Sequence, residues 1–156
     1  RSEHWTPSLS CSWWQVPRCT DGTPAGYGIY EVDGDRIEWY YKSTGHPADY
    51  QIKLYDGREC PQFEGYAAAN IWASDPAWRV EFEIDGRPCG PAERFRAYDP
   101  EAARLYSDPD RLEHKWIAPS ESDHYYRVPL PEGASRVEVS ATDRFGRRST
   151  AAFDLK

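Results

Sequence analysis

Apolar and polar side chains alternate with a period of two along most of this chain, as they do in half-buried β-strands. Residues 27–42 contain two such runs separated by Asp33-Gly34, and an Asp-Gly dipeptide between alternating runs is a strong hairpin signal. An Asp-Gly turn signal recurs at Asp85-Gly86, and a last hairpin is predicted across the turn at 143–146. The predicted strands cover residues 27–32, 36–42, 50–54, 70–73, 78–84, 137–141 and 151–155.

One segment favours a helix. Asp99 is suited to cap its N-terminus, Pro100 to occupy its first position, and residues 101–106 to continue it. Residues 107–123 carry several Asp, Pro and Ser and are predicted to form a long loop. Short, regularly spaced strands separated by turn residues are typical of a β-sandwich. We therefore predict an all-β, Ig-like or fibronectin-like antiparallel β-sandwich with one short helix and long loops, as a single domain over residues 1–156.

The composition indicates a folded domain with a polar surface. The chain has 156 residues, of which 39% are hydrophobic, and it contains 7 Trp and 11 Tyr. Its net charge of -7 disfavours binding to phosphates of nucleic acids or to anionic lipid. No run approaches the roughly 18 apolar residues of a transmembrane helix. We therefore expect no nucleic-acid partner and no membrane insertion. Because the chain begins with Arg1 and contains no Met, we expect it to be part of a longer polypeptide.

Four cysteines are present, Cys11, Cys19, Cys60 and Cys89. None belongs to a Cys-x-x-Cys pair, which disfavours a zinc ribbon. An even number allows two disulfides, with three connectivities. Because Cys11 and Cys19 are close in sequence, we favour their pairing, with Cys60 bonded to Cys89. The alternative is four buried or free thiols.

The residues needed for catalysis are not arranged in any recognisable motif. The chain has no Gly-x-Ser-x-Gly nucleophile motif, and its four His lie in unrelated loop-like contexts. A two-metal phosphoesterase centre needs several His and carboxylates. Only Gly34–Glu38 resembles one of its signatures, and a hairpin turn explains that segment better. Paired carboxylates are disfavoured because most acidic residues are surface charges. We therefore predict no catalytic residue and no metal ligand.

The many aromatic residues support two interpretations. Trp39, Trp72 and Trp78 fit the alternating core of a sandwich, and this interpretation is favoured. In the second, exposed rings form a platform on which sugars stack. Trp13 and Trp14 are its best candidates, because adjacent residues on a strand face opposite sides.

The segment Asp21–Tyr27 has two Gly and one Pro, which impose an irregular backbone. The favoured interpretation is an entry turn to the strand at Tyr27. The alternative is that this loop presents Asp21 and Thr23 at an edge facing a neighbouring domain or a ligand.

Several short motifs also follow one another in order along the chain. They are Trp13-Trp14 with Pro17, Asp21-Gly22-Thr23-Pro24-x-Gly26-Tyr27, Trp39-Tyr40-Tyr41-Lys42-x-x-Gly45, Asn70-Ile71-Trp72, Asp75-Pro76-x-Trp78 and Thr142-Asp143-Arg144-Phe145-Gly146. Together they resemble the C-terminal domain of bacterial calcineurin-like phosphoesterases, over residues 10–153. Two features depart from that family: the presence of Cys11 and Cys19, and the short segment between Trp14 and Asp21.

The resemblance implies a non-catalytic accessory domain of a secreted or periplasmic metallophosphoesterase. In that family a catalytic domain with two divalent metal ions precedes this domain. The resemblance therefore implies no cofactor in this chain and, as partner, the catalytic phosphoesterase domain of the same polypeptide. The family and the even number of Cys imply an extracytoplasmic location. The alternative function is a carbohydrate-binding module that uses exposed Trp and Tyr. The candidate ligand or interdomain surface comprises Trp13, Trp14, Asp21, Thr23, Tyr27 and Lys42.

Overall fold

The computed structural model describes residues 8–108, 110 and 112–155. The chain forms two compact units. Unit 1 comprises Arg1–Tyr50 and Tyr98–Glu121, and unit 2 comprises Gln51–Ala97 and Ser122–Lys156. Strands account for 44% of the structure and helices for 7%, which confirms the predicted all-β class.

Among the described residues, each predicted strand overlaps an observed strand, and three further strands were not predicted. The strands are β1 (Gly26–Asp33), β2 (Arg36–Ser43), β3 (Ile52–Asp56), β4 (Tyr66–Ile71), β5 (Arg79–Ile84), β6 (Arg87–Pro88), β7 (Glu93–Ala97), β8 (Ser122–Pro129), β9 (Arg136–Thr142) and β10 (Arg148–Asp154). The helices are a short 3-10 helix (Pro61–Phe63) and α1 (Pro100–Tyr106).

Unit 2 consists of two four-stranded antiparallel sheets. Their strand orders are β3-β4-β8-β7 and β10-β9-β5-β6. When the two-residue strand β6 is set aside and the other seven strands of unit 2 are lettered A to G in chain order, the first sheet is A-B-E-D and the second contains G-F-C, as in a constant-type Ig domain. The predicted Ig-like sandwich is therefore confirmed in unit 2.

The core of unit 2 is formed by the alternating residues that the sequence pattern predicts. Phe82 on β5 pairs with Val139 on β9, and Ile84 pairs with Val137. All four are buried and pack against Ala69 and other small or branched residues of the first sheet. Because successive strand residues face opposite sides, one face of each sheet supplies this core.

Strand β4 is buried on both faces. Ala67 and Ala69 belong to the main core, whereas Ala68 packs in a second cluster with Phe63 of the 3-10 helix and Tyr125 of β8. Two-sided burial removes the alternation of apolar and polar residues. The same reason explains why β8 was not predicted, since His124, Tyr125, Tyr126 and Val128 are all buried. Strands β6 and β7 were also missed.

Unit 1 contains the predicted hairpin of β1 and β2. Gly34 lies in its turn with a φ of +60°, a conformation that glycine adopts without steric cost. Val32 is directly opposite Ile37, and Tyr30 is opposite Trp39. Each cross-strand pair shares one face, so these four side chains form an apolar stripe on one side of the hairpin.

Helix α1 begins as the sequence predicts. The Asp99 carboxylate accepts a hydrogen bond from the Ala102 amide at 2.9 Å, and Pro100 occupies the first turn. No helix among the described residues is long and apolar enough to cross a membrane. The buried face of α1 belongs to a cluster formed by Val16, Ala102, Leu105, Tyr106, Leu112 and Ile117.

Replacing Phe82 with alanine tests the core of unit 2. We expect Phe82→Ala to lower the free energy of unfolding by about 3–5 kcal/mol, because it leaves a cavity between the two sheets. Glu81→Ala is the matched control on the same strand, and its exposed side chain makes only a surface ion pair with Arg79. Urea unfolding measures both variants. Equal effects of the two substitutions would show that Phe82 does not lie in the core.

Candidate functional site

The six residues of the candidate ligand or interdomain surface all lie in unit 1, whereas Cys60 and Cys89 lie in unit 2. Trp14 is 79% exposed and Trp13 is 54% exposed, and Tyr27 is also exposed. The two Trp lie in turns rather than on a strand, which corrects the expectation that strand geometry orients them. By contrast Trp72 is fully buried, so the core interpretation holds for it and the exposed interpretation holds for Trp13 and Trp14.

Trp13 lies in a cluster of exposed rings that local sequence did not reveal. Its ring meets that of Trp116 edge to face, with centroids 5.2 Å apart and planes at 69°. It also contacts the His114 ring at 5.9 Å. Trp116 is 71% exposed. Trp13, His114 and Trp116, here called the aromatic cluster, join the first loop of the chain to the loop after α1. The only sequence signal for Trp116 was the presence of a large aromatic residue in a long loop rich in polar residues.

The loop that carries Trp13 has an unusual backbone. Cys11, Trp13 and Trp14 have φ values of 45°, 53° and 58°. This left-handed region costs a non-glycine residue about 1–2 kcal/mol. Such conformations persist where surrounding contacts determine them. Here the Trp14 amide donates to the Ser10 carbonyl at 2.7 Å.

Tyr106 of α1 forms hydrogen bonds with two residues of the same loop. Its hydroxyl donates to the Arg18 carbonyl at 2.7 Å. Because that bond uses its one proton, the Ser12 hydroxyl donates to the Tyr106 oxygen at 2.6 Å. The Arg18 guanidinium in turn donates to Glu101 of α1 at 3.0 Å. Polar contacts with the helix thus position the loop.

A depression of about 430 Å³ opens beside the aromatic cluster. Two indole rings and several polar groups border it. Such a combination can stack against an apolar surface and exchange hydrogen bonds with it. The residues around it include Cys11, Trp13, Cys19, Asp21, Trp116 and Ser120.

Two of the cysteines are also part of this depression. The Sγ atoms of Cys11 and Cys19 are 2.8 Å apart. The hydrogen bond from the Cys19 thiol lowers the pKa of Cys11, and the same bond together with burial raises the pKa of Cys19. The structure therefore brings together the pair that the sequence favoured, with both residues as thiols.

The structure does not bring Cys60 and Cys89 together. Cys60 packs with the outer cluster around Phe63, whereas Cys89 packs against the core between the sheets. Both are thiols, and their predicted pairing stays a prediction. Among the described residues, no three His, Cys, Asp or Glu side chains are grouped so that they could hold a metal ion.

The loop from Asp21 to Tyr27 is packed into unit 1. Thr23 is fully buried, which corrects the expectation that it lies at an exposed edge. The Asp21 carboxylate accepts from the Thr23 amide at 2.9 Å and so closes the turn. Gly22 has a φ of +86°, and a Cβ there would lie 2.2 Å from Cγ of Asp99. This packing supports the interpretation of the loop as an entry turn.

Lys42 is held by its own hairpin. Its ammonium donates to the Ser43 carbonyl at 3.0 Å and to the His46 carbonyl. Tyr27 is directly opposite Lys42 in the register of β1 and β2. Of the six predicted surface residues, Trp13, Trp14 and Tyr27 are therefore the exposed ones, while Asp21 borders the depression.

Comparison with known proteins identifies one family. The model described as the C terminal of Calcineurin-like phosphoesterase matches residues 3–148, nearly the whole chain. The motifs at 13–27, 39–45, 70–78 and 142–146 all lie in this range. No curated protein and no solved structure matches the chain. The resemblance to the C-terminal domain of calcineurin-like phosphoesterases, noted from the sequence motifs, is thereby confirmed.

Gly22 offers a test of the packed loop. We expect Gly22→Ala to lower the free energy of unfolding by at least about 2 kcal/mol, because a left-handed alanine is strained and its Cβ overlaps Asp99. Gly45→Ala is the control, since Gly45 has a φ of +77° with no atom within 4 Å of the added Cβ. It should cost only about 1 kcal/mol. Urea unfolding followed by Trp fluorescence compares the two, and equal losses would contradict the close approach of Gly22 to Asp99.

Proposed function

We propose that this chain, which belongs to the family of C-terminal domains of calcineurin-like phosphoesterases, is a non-catalytic accessory domain that packs on the catalytic domain of the same polypeptide. Unit 1 makes the contact. The aromatic cluster and the loop before it form the centre of the contact surface, where they line or restrict access to the catalytic cleft.

The distribution of exposed apolar side chains carries this proposal. Among the described residues, every exposed large hydrophobic side chain lies in unit 1. Concentrated exposed apolar surface marks sites of protein interaction. The sandwich of unit 2 buries its large apolar residues in its own core. The exposed residues are Leu9, Trp13, Trp14, Tyr27, Tyr30, Val32, Ile37, Tyr98 and Trp116.

The chemistry of these residues suits a protein partner. Trp and Tyr are enriched at the centres of interfaces, because a large rigid ring loses little conformational entropy on burial. Trp13 and Trp116 already support each other through their ring contact. The loop that carries Trp13 is held by the hydrogen bonds of Tyr106 with Ser12 and Arg18. A surface organised in this way needs little rearrangement on docking.

In this proposal the two divalent metal ions of the phosphoesterase belong to the catalytic domain. Such ions supply a nucleophilic hydroxide and stabilise charge on the phosphoryl group when bound. The described residues of this chain do not offer a fitting ligand set, so we assign none of them a step in hydrolysis. We also propose a secreted or periplasmic location. The even number of cysteines supports it, because disulfides persist in oxidising compartments.

Oxidative footprinting tests the docking surface. In the isolated chain, hydroxyl radicals should modify Trp13, Trp14 and Trp116 readily. In the full-length phosphoesterase the same three residues should be protected several-fold, because the catalytic domain covers them. Half-buried Trp78 of unit 2 is the internal control and should react equally in both proteins. Equal modification of the three exposed Trp in the two proteins would rule out the proposed surface.

Enzyme assays test the non-catalytic role. The purified chain should hydrolyse neither phosphate monoesters nor diesters with added Mn²⁺ or Zn²⁺. The full-length polypeptide, assayed in parallel, is the positive control. Metal-dependent turnover by the pure chain would overturn the accessory role.

A carbohydrate-binding module is the second candidate. The depression beside Trp13 and Trp116 favours it, because sugar sites combine aromatic rings with polar groups such as Asp21 and Ser120. The two rings meet at 69°, so they form a corner suited to one sugar residue rather than a flat platform.

Titration of Trp fluorescence tests this candidate against bacterial cell-wall and plant polysaccharides. Binding should change the emission of the wild-type chain and should be lost in Trp116→Ala. Trp14→Ala is the control, because Trp14 does not border the depression. A panel without any response would eliminate the carbohydrate candidate.

A further inference from the structure

The two neighbouring thiols of unit 1 have a geometry that the accessory role does not use. Cys11 and Cys19 approach within 2.8 Å, and both line the depression beside the aromatic cluster. We propose that they form a reversible dithiol–disulfide couple, in which Cys11 reacts first, Cys19 resolves the intermediate, and the disulfide locks the loop that carries Trp13. This inference does not rest on the docking proposal.

The two sulfur atoms are already close to bonding distance. A disulfide bond is about 2.05 Å long, so the sulfurs need to move together by roughly 0.8 Å. Backbone hydrogen bonds hold both residues in place. The Cys11 amide donates to Ser8 at 3.1 Å, and the Cys19 amide donates to Thr23 at 2.8 Å. Formation of the bond therefore needs little rearrangement of the chain.

The environments of the two thiols differ. Cys11 is half-buried, whereas Cys19 is buried. The pKa of Cys11 is lowered chiefly by the hydrogen bond from Cys19 and also by nearby Arg18, against opposing effects of burial and Asp21. The pKa of Cys19 is raised by that hydrogen bond and by burial. Since the thiolate is the nucleophile, Cys11 is the residue suited to attack first.

The depression gives a small disulfide access to Cys11. The Cys11 thiolate attacks one sulfur of an oxidant such as oxidised glutathione, which forms a mixed disulfide and releases one glutathione thiolate. Cys19 then loses its proton and attacks Sγ of Cys11, which releases the second glutathione. In total, two protein thiols are oxidised to a disulfide and one glutathione disulfide is reduced to two thiols.

The disulfide encloses the strained segment of the loop. Trp13 and Trp14, both with positive φ, lie between the two cysteines. In the reduced form, the Trp13 ring rests against Trp116, and backbone hydrogen bonds of the neighbouring residues, such as Trp14 to Ser10, hold the loop. The covalent link limits the conformations available to this short loop. Oxidation therefore rigidifies the aromatic cluster, and reduction loosens it.

Redox titration of the chain in glutathione buffers tests the proposal. After acid quenching and alkylation, mass spectrometry should detect a Cys11–Cys19 linkage that appears and disappears reversibly. In the reduced chain, Cys11 should react with iodoacetamide at least about 10-fold faster than Cys89. A linkage of Cys11 or Cys19 to Cys60 or Cys89, or no Cys11–Cys19 linkage at any buffer ratio, would overturn the couple.

Two serine variants separate the roles of the cysteines. Cys19→Ser should stop at a mixed disulfide between Cys11 and glutathione, and Cys11→Ser should leave Cys19 at least about 10-fold less reactive. Cys89→Ser in unit 2 is the control and should behave as the wild type. Rapid glutathionylation of Cys19 in Cys11→Ser would contradict the assignment of roles. If either variant fails to fold, the alkylation rates of the reduced wild-type chain decide the order of reactivity.

Discussion

Unit 1 depends on the burial of one carboxylate, that of Asp99. It is fully buried and accepts a hydrogen bond from the Ala102 amide, which caps α1. Gly22 packs directly on the same side chain, and any Cβ at that position would overlap it. A buried carboxylate is tolerated only where hydrogen bonds replace its hydration. The helix and the loop from Asp21 to Tyr27 are therefore coupled, which explains why a glycine stands at position 22.

This coupling extends from the buried residues to the exposed rings. Helix α1 places Tyr106, whose hydroxyl holds both Arg18 and Ser12. Those contacts determine the left-handed turn that presents Trp13 to Trp116. The loop from Asp21 to Tyr27, which the sequence offered as a candidate site, is therefore mainly packed into unit 1. Most of the exposed apolar residues lie before or after this loop in the chain.

The two units differ in what they do with large apolar residues. Unit 2 buries them between two sheets, where Phe82, Val137 and Val139 form a core of Ig type. Unit 1 leaves many of them exposed, including two of the three members of the aromatic cluster. The exposed apolar residues of unit 1 agree with the proposed accessory role. In the proposed redox couple, Cys11 and Cys19 border the depression beside those residues.

Local signals in the sequence determined the hairpins and the helix. Alternation with Asp-Gly turns predicted β1, β2 and β5, and Asp99 with Pro100 predicted α1, because each signal depends on near neighbours in the chain. Only the tertiary structure decided that β8 is a strand buried on both faces, that Thr23 is inaccessible, and that Trp13 meets Trp116. These features arise where segments distant in sequence pack together. The alternation of residues along one segment does not depend on such contacts and so cannot predict them.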